Sequence, residues 1–203
     1  MLNYFMENPY WIIVIAVLVL LTLFVCIKAG KASSRRSKEV EKTMKRLKEE
    51  NELRNEFAVI TEQLAKNSAP ERLFKGVALN LQKRVADADD MVAEFEKLAQ
   101  EQREIYALFF VVEDGGEKLS DFFRANGQPL TGAALDAVKH LFRGRIMEIF
   151  KSEFNSFDPD NESASCIAQE IDALDGEFAQ LVSDDVICRT AGAFIAQNVE
   201  KFI

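Results

Sequence analysis

Residues that could carry chemistry are few in this chain, and each lacks the partners that its chemistry requires. The sequence has one histidine, His140, beside apolar residues of an amphipathic segment. No serine or cysteine motif points to this histidine, so the nucleophile and base of a covalent mechanism are not indicated. The three cysteines, Cys26, Cys166 and Cys188, do not have metal-ligand spacing. We therefore expect a protein that is not an enzyme and has no catalytic residue, cofactor or bound metal.

Two acidic clusters suggest cation binding, but neither has a complete pattern. Residues 158–162, DPDNE, resemble the start of a calcium loop. Such a loop needs Gly at its sixth position and Glu at its twelfth, where this chain has Ser163 and Gln169. The acidic residues within 87–90 fit the solvated face of a helix. We expect a turn and a helix cap at 158–162, and no metal at either place.

The stretch EDGGEKLSDFFRANG, residues 113–127, is the strongest candidate for a binding site. Its acidic side chains could face a basic partner, and the candidates for this contact are Glu113, Asp114, Glu117 and Asp121. A structural interpretation rests on the residues that would turn a helix corner and fill the core beneath it, namely Gly115, Gly116, Phe122 and Phe123. No GK[ST] follows the glycines, so a phosphate-binding loop is not predicted. The sequence leaves open whether this stretch is a binding site or only a helix corner.

The N-terminal part predicts a membrane anchor. Residues 10–27, YWIIVIAVLVLLTLFVCI, contain no charge, and as a helix they would span about 27 Å, close to one bilayer core. We assign residues 10–29 to a transmembrane helix and residues 1–9 to a short extracytoplasmic tail. The alternative is a cleavable signal peptide, which would carry its positive charges before the apolar run.

Basic residues follow the apolar run and set the expected orientation. They are Lys28, Lys31, Arg35, Arg36 and Lys38. Cytoplasmic flanks carry such an excess, so the N-terminus is expected outside and the remainder in the cytoplasm of a single-pass cell-membrane protein. The same cluster could contact anionic lipid headgroups, although a topology signal alone explains it.

Residues 30–67 are expected to form a basic juxtamembrane segment and a helical, coiled-coil-like stalk. Apolar residues there alternate at spacings of four and three in two sets with a phase slip between them: Val40, Met44 and Leu47, then Leu53, Phe57, Ile60 and Leu64. A homodimer through this stalk is one of two open alternatives. The other is a stalk that only separates the distal domain from the membrane.

Residues 68–203 are predicted to form one all-α domain. Ser68 and Glu71 form a capping-box pattern at its start. A long helix follows to about residue 112, with its weakest part at ADADD, residues 86–90. A short helix from Glu117 to Ala125, a helix over 132–154 capped by Thr131, and two further helices complete the expected fold. The fold class is therefore all-α, with a transmembrane helix, a stalk and a compact multi-helix domain.

The charge of the chain is unevenly distributed. Residues 1–70 hold 11 basic and 8 acidic side chains, a net charge of +3, whereas residues 71–203 hold 14 basic and 25 acidic ones, a net charge of -11. An acidic domain should avoid nucleic acid and anionic lipid and attract basic proteins. Ordinary solubility charge is the alternative explanation.

The distal part resembles a known family. EDGGEKLSDFF, the helix AALDAVKHL, EIDALDGEF (residues 170–178) and DDVICRTAGAFI (residues 184–195) are together similar to the small acidic helical bacterial domains of the DNA-mimic proteins. The resemblance covers about residues 104–203 and implies an all-helical domain that binds a protein, in one style by imitating the charge of DNA. Glu117 departs from the family, which usually has a hydrophobic residue after the glycines, and so does the membrane anchor.

We therefore expect a membrane-anchored protein that presents an acidic helical domain for protein binding. The alternative is a structural membrane protein that forms homo-oligomers through its stalk helix.

Overall fold

The computed structural model describes residues 17–18, 39–116, 118–157 and 168–203. All regular secondary structure within these ranges is helical, which confirms the expected all-α class. The predicted membrane helix and its basic flank, residues 10–38, lie outside the described ranges except for Val17 and Leu18, which are helical and exposed. Within the described ranges, every helix is too short or too polar to cross a bilayer.

The chain divides into two compact units, Met1–Glu49 and Glu50–Ile203. Residues 39–56 are helical and are labelled α1; residues 50–56 of it belong to the second unit. The helices that follow in the second unit are α2 (Glu62–Asn67), α3 (Pro70–Ala86), α4 (Met91–Lys97), α5 (Gln100–Gly115), α6 (Leu119–Ala125), α7 (Leu130–Leu141), α8 (Arg145–Ser156), α9 (Ala168–Leu181) and α10 (Asp184–Gln197). A 3-10 helix, Val199–Lys201, ends the described chain.

Helix α5 is central to the second unit, because it packs against α3, α6, α7 and α10. Its residues Ile105, Ala107 and Leu108 are fully buried. Helices α3 and α10 pack closely on each other, and a Cβ added to Gly192 would overlap the backbone of Pro70. Only glycine therefore allows α10 to approach the start of α3 this closely.

The compact unit begins earlier than the boundary expected at residue 68. The chain leaves α1 at Phe57, whose ring lies over Gly76 of α3. Phe57, Ile60 and Ala65 are buried in the core of this unit. The second set of apolar stalk residues therefore packs within the unit instead of forming an exposed seam, since Leu53 and Leu64 are also partly buried against this core.

Two helices predicted as continuous are interrupted. The long helix after residue 70 breaks at Asp87–Asp90, as the weak ADADD segment suggests, and again at Leu98–Ala99. Asp90 starts α4 by accepting a hydrogen bond from the backbone N–H of Ala93 at 3.0 Å. The helix expected over 132–154 is two helices, since the chain turns at Gly144, where φ is 64°.

Two expected helix caps are wrong. Ser68 does not form a capping box, because its hydroxyl donates to the carbonyl of Leu64 at 2.6 Å and so caps the end of α2. Helix α3 begins instead with Pro70 in its first turn, where a missing N–H costs nothing. Thr131 lies inside α7, after its start at Leu130, and is buried.

Candidate functional site

The glycine stretch forms a corner between α5 and α6. Helix α5 ends at Gly115, and Gly116 follows with φ of 38°, a left-handed conformation that favours glycine. The backbone N–H of Lys118 then donates to the carbonyl of Gly115 at 2.6 Å, which closes the turn before α6 begins. The start of α6 is therefore held close to the end of α5, and the two helices pack against each other.

The two phenylalanines of the stretch anchor this corner in the core. Phe122 and Phe123 are buried and contact each other edge to face, with ring centroids 5.1 Å apart. Phe123 also packs on Phe150 of α8 at 5.1 Å and stacks on Phe157 at 5.7 Å. These rings hold α6 against α8, so the corner is a fixed part of the fold.

The predicted acidic contacts lie in different surroundings. Glu113 is exposed and lines a cavity described below. Asp114 is half-buried and accepts a hydrogen bond from the side-chain amide of Asn126 at 2.9 Å. Asp121 is exposed and paired with Arg124 at 3.1 Å, while Glu117 lies outside the described residues. The geometry therefore favours Glu113 as a partner contact over Asp114, whose carboxylate is engaged within the fold.

Two neighbouring cavities lie next to this corner. The smaller one, about 230 Å³, is lined by the end of α5, Gly116, the start of α6, the end of α9 and the start of α10. The larger one, about 530 Å³, lies between α3, α5 and α10. Asp184 lines both cavities, and Val111 and Val112 line one each. We refer to the two cavities together as the groove.

The groove combines apolar walls with a charged rim. The smaller cavity is lined by the apolar side chains Val111, Leu119, Phe178, Val182 and Ile187. The larger cavity is lined by three exposed carboxylates, namely Glu113, Asp184 and Asp185, and by two exposed cations, Lys75 and Arg72, of which Arg72 is paired with Glu56. Asp184 and Asp185 stand in the first turn of α10, where the helix dipole stabilises negative charge.

The carboxylates of the groove are not equivalent. Glu71 accepts from Nε of Arg189 at 2.6 Å, and its pKa is lowered by a backbone hydrogen bond and by this guanidinium. Partial burial raises the pKa of Asp184, and the neighbouring charge of Asp185 adds to this, whereas Lys75 opposes it. Among the described residues, Asp184 makes no ion pair as close as that between Glu71 and Arg189, and Lys75 is the cation that acts on its charge.

Cys188 lies against the larger cavity, and its surroundings favour the protonated thiol. It is buried, and burial raises the pKa of its thiol to about 11. Nucleophilic cysteines need a lowered pKa, so this thiol stays protonated and inert near neutral pH.

His140 has a partner that the sequence could not show. Its Nδ1 lies 2.9 Å from Oε2 of the buried Glu104, and Gln100 donates to the other oxygen of Glu104 at 2.9 Å. The histidine ring also packs edge to face on Phe194. This arrangement satisfies a buried carboxylate, and no group of metal-ligating side chains occurs among the described residues.

A second set of polar residues, not singled out by sequence, lies beneath the corner. Asp175 of α9 accepts from the backbone N–H of Ser120 at 2.8 Å and from its hydroxyl at 2.7 Å. Arg124 donates to the same hydroxyl at 2.8 Å. Glu153 of α8 is also buried, and Asp175 and Arg124 both influence its ionisation.

Comparison with family models, with curated proteins and with solved structures found no match to this chain. The resemblance to the DNA-mimic domains therefore stays a prediction.

Proposed function

We propose that this chain is a single-pass membrane protein whose helical unit binds a basic segment of a partner protein in the groove. The observation that carries the proposal is the position of Asp184, which lines both the smaller apolar cavity beside the Gly115–Gly116 corner and the larger cavity, where Glu113 and Asp185 add two further carboxylates. An apolar cavity beside exposed carboxylates suits a partner that supplies both apolar and cationic side chains.

The composition of the C-terminal residues supports a positively charged partner. Residues 168–203 include seven acidic side chains and two basic ones, Arg189 and Lys201. Both basic ones have acidic partners, Glu71 for Arg189 and Glu101 for Lys201. This part of the surface therefore presents an excess of negative charge, and a segment in which Lys or Arg flank aliphatic residues is the complementary chemistry.

The apolar run at residues 10–27 and the basic residues after it support the anchor and its orientation. A binding role without catalysis agrees with a protonated Cys188 and a His140 engaged with Glu104. In this proposal the membrane determines where the partner is captured, and the groove determines which partner it is.

Site-specific photo-crosslinking in native membranes tests the proposal. A photoreactive residue replaces Ala179, which is exposed and lines the smaller cavity, or Gln63, which is exposed on α2 as a control position. We expect a discrete crosslinked partner from position 179 and none of the same mass from position 63. The crosslink should weaken as ionic strength rises, because opposite charges attract less strongly in salt.

Charge-neutral variants give a matched comparison. Glu113→Gln, Asp184→Asn and Asp185→Asn together should abolish the crosslink from position 179. The control changes the same number of exposed carboxylates elsewhere, with Asp89→Asn, Glu96→Gln and Glu170→Gln. A crosslink that survives the first triple variant, or that is lost equally in the control, would contradict binding at the groove.

Self-association through the stalk is a second candidate, favoured by a separate observation. Val40, Met44 and Leu47, at the spacing of a coiled-coil seam, are exposed to 56%, 64% and 50%. No other described residue of the first unit covers these three side chains. Two copies of this helix could bury these side chains against each other.

Sedimentation of the full-length chain in detergent tests this candidate. A dimer that becomes a monomer on Met44→Glu and Leu47→Glu would support it, and a monomer in the unchanged chain would exclude it. Deletion of the whole predicted stalk is not a suitable test, because Phe57, Ile60 and Ala65 belong to the core of the second unit.

A further inference from the structure

Glu153 is an acidic residue in a place where its charge is poorly accommodated. It stands on α8, and its side chain is 0% exposed. Neither of its carboxyl oxygens has a hydrogen-bond partner among the described residues. A buried carboxylate without donors is costly, whereas a protonated carboxyl costs much less.

The surroundings of Glu153 favour its neutral form. Asp175, 3% exposed, accepts two hydrogen bonds from Ser120, one at each carboxyl oxygen, whereas Glu153 has none. Desolvation, followed by the charge of Asp175, raises the pKa of Glu153 to about 8, although Arg124 acts in the opposite direction. Near neutral pH, Glu153 is therefore protonated in the folded chain.

Other charged groups on the helices around Glu153 are paired with one another or exposed to solvent. Helices α6, α8 and α9 contact one another in all three combinations, and α7 also packs on α8. The ion pairs on these helices and the preceding Lys118 are Lys118–Asp172, Arg124–Asp121, Arg145–Glu177, Arg145–Glu148 and Lys139–Asp136, while His140 is paired with Glu104. Lys151 of α8, Glu170 of α9 and Arg143, between α7 and α8, are exposed to solvent. Asp175 and Arg124 are the described charges that act on the carboxyl of Glu153.

We propose that Glu153 is a proton-controlled latch, which keeps α6, α8 and α9 packed while its carboxyl holds a proton and loosens them when the proton is lost. Loss of the proton would place a second negative charge beside Asp175 in a space that gives it no donor. The nearby rings Phe122, Phe123 and Phe150 would then be exposed as the three helices separate.

The latch would also affect the groove. Leu119 of α6 and Phe178 of α9 line the smaller cavity, and Phe178 packs against Phe150 at 6.5 Å between centroids. Separation of these helices would alter the cavity wall and so reduce partner binding at alkaline pH. This last step rests on the proposed function, whereas the loosening itself does not.

The direction of the pH effect follows from the two states. We call the state with α6, α8 and α9 packed the closed state, and the state with these helices separated the open state. The pKa of Glu153 is then near its ordinary value of 4.5 in the open state and about 8 in the closed state. The closed state binds one more proton between these values, so opening becomes about tenfold more favourable per pH unit across this window. The effect levels off above about pH 8.

Hydrogen exchange measured by mass spectrometry on the full-length chain in detergent tests the latch. Peptides covering α6 and α8 are followed from pH 5.5 to 9, with rates corrected for the intrinsic pH dependence of exchange. We expect protection to fall by up to about tenfold per pH unit toward pH 8 and then to level off. Protection that does not change over this range would overturn the proposal.

Variants separate the latch from a general pH effect. Glu153→Gln and Glu153→Met both remove the titration, and either one that folds should remove the pH dependence. Glu148→Gln, an exposed position on the same helix, should retain it. A Glu153 variant that keeps the slope, or a Glu148 variant that loses it, would refute the assignment. This readout requires no partner, so its outcome is independent of whether the groove binds one.

Discussion

Asp175 caps the start of α6 from another helix, since it accepts hydrogen bonds from both the backbone N–H and the hydroxyl of Ser120. Lys118, which precedes α6, makes no side-chain cap of its own. The first N–H groups of a helix have no partner within the helix, and a carboxylate satisfies them well. A residue 55 positions away thus performs the role that a local Ser or Asp usually performs.

Ser120→Ala should destabilise the chain by about 1–3 kcal/mol, because one oxygen of the buried Asp175 would lose its donor. Urea unfolding of the full-length chain in detergent, followed by circular dichroism, measures this change. Ser152→Ala is the control, because Ser152 is exposed on α8 and should change the free energy of unfolding by less than about 0.5 kcal/mol. Equal effects of the two changes would contradict the capping role.

Two glycine substitutions should have opposite effects on stability. Gly192→Ala should destabilise the chain by about 1–3 kcal/mol, because the added methyl group would overlap the backbone of Pro70 and separate α10 from α3. Gly176→Ala, on the exposed face of α9 with open space around it, should stabilise by roughly 0.5–1 kcal/mol. The same urea experiment compares them. A neutral Gly192→Ala would show that this close helix contact is dispensable.

The apolar periodicity of the sequence predicts which residues are buried better than where helices end. Ile149 and Phe150 are fully buried, as their spacing suggests. The apolar periodicity that includes them continues through Gly144 without interruption, because the residues before and after the turn face the same core. Periodicity cannot show such a change of direction when the same side of the chain stays inward.

The site was only partly predictable for a related reason. Glu113 and the diglycine could be picked out, because charge and glycine pairs are visible locally. The groove also needs Asp184 and Phe178, which approach the corner only through the packing of α9 and α10. Glu153 follows the buried Ile149 and Phe150 by four and three residues, so helical periodicity places it on the inward face of α8. The sequence does not show that Asp175, on another helix, lies near its carboxyl.

Cys188 should react slowly with alkylating agents in the folded chain. Its pKa of about 11 leaves roughly 100-fold less thiolate at pH 8 than an ordinary cysteine has. Brief exposure to iodoacetamide, followed by mass spectrometry of the Cys188 peptide, compares the native chain with the chain in urea. We expect labelling in the native state to be slower by about this factor or more. Similar rates in both conditions would mean that the thiol is accessible and ionised.

The orientation of the proposed membrane anchor can be measured separately from binding at the groove. Protease added outside intact spheroplasts should leave residues 39–203 undigested if the unit lies in the cytoplasm. Digestion without prior lysis would contradict the orientation predicted from Lys28, Lys31, Arg35, Arg36 and Lys38.

The most direct test of the groove is methyl NMR of the full-length chain in detergent, titrated with a peptide of alternating Lys and Leu. We expect chemical-shift changes concentrated at groove methyl groups, such as those of Val111, Leu119, Val182 and Ile187, which weaken as salt is added. These changes should disappear in the triple variant Glu113→Gln, Asp184→Asn and Asp185→Asn. Shifts spread over other acidic surfaces, or unchanged in that variant, would contradict the groove as the binding site.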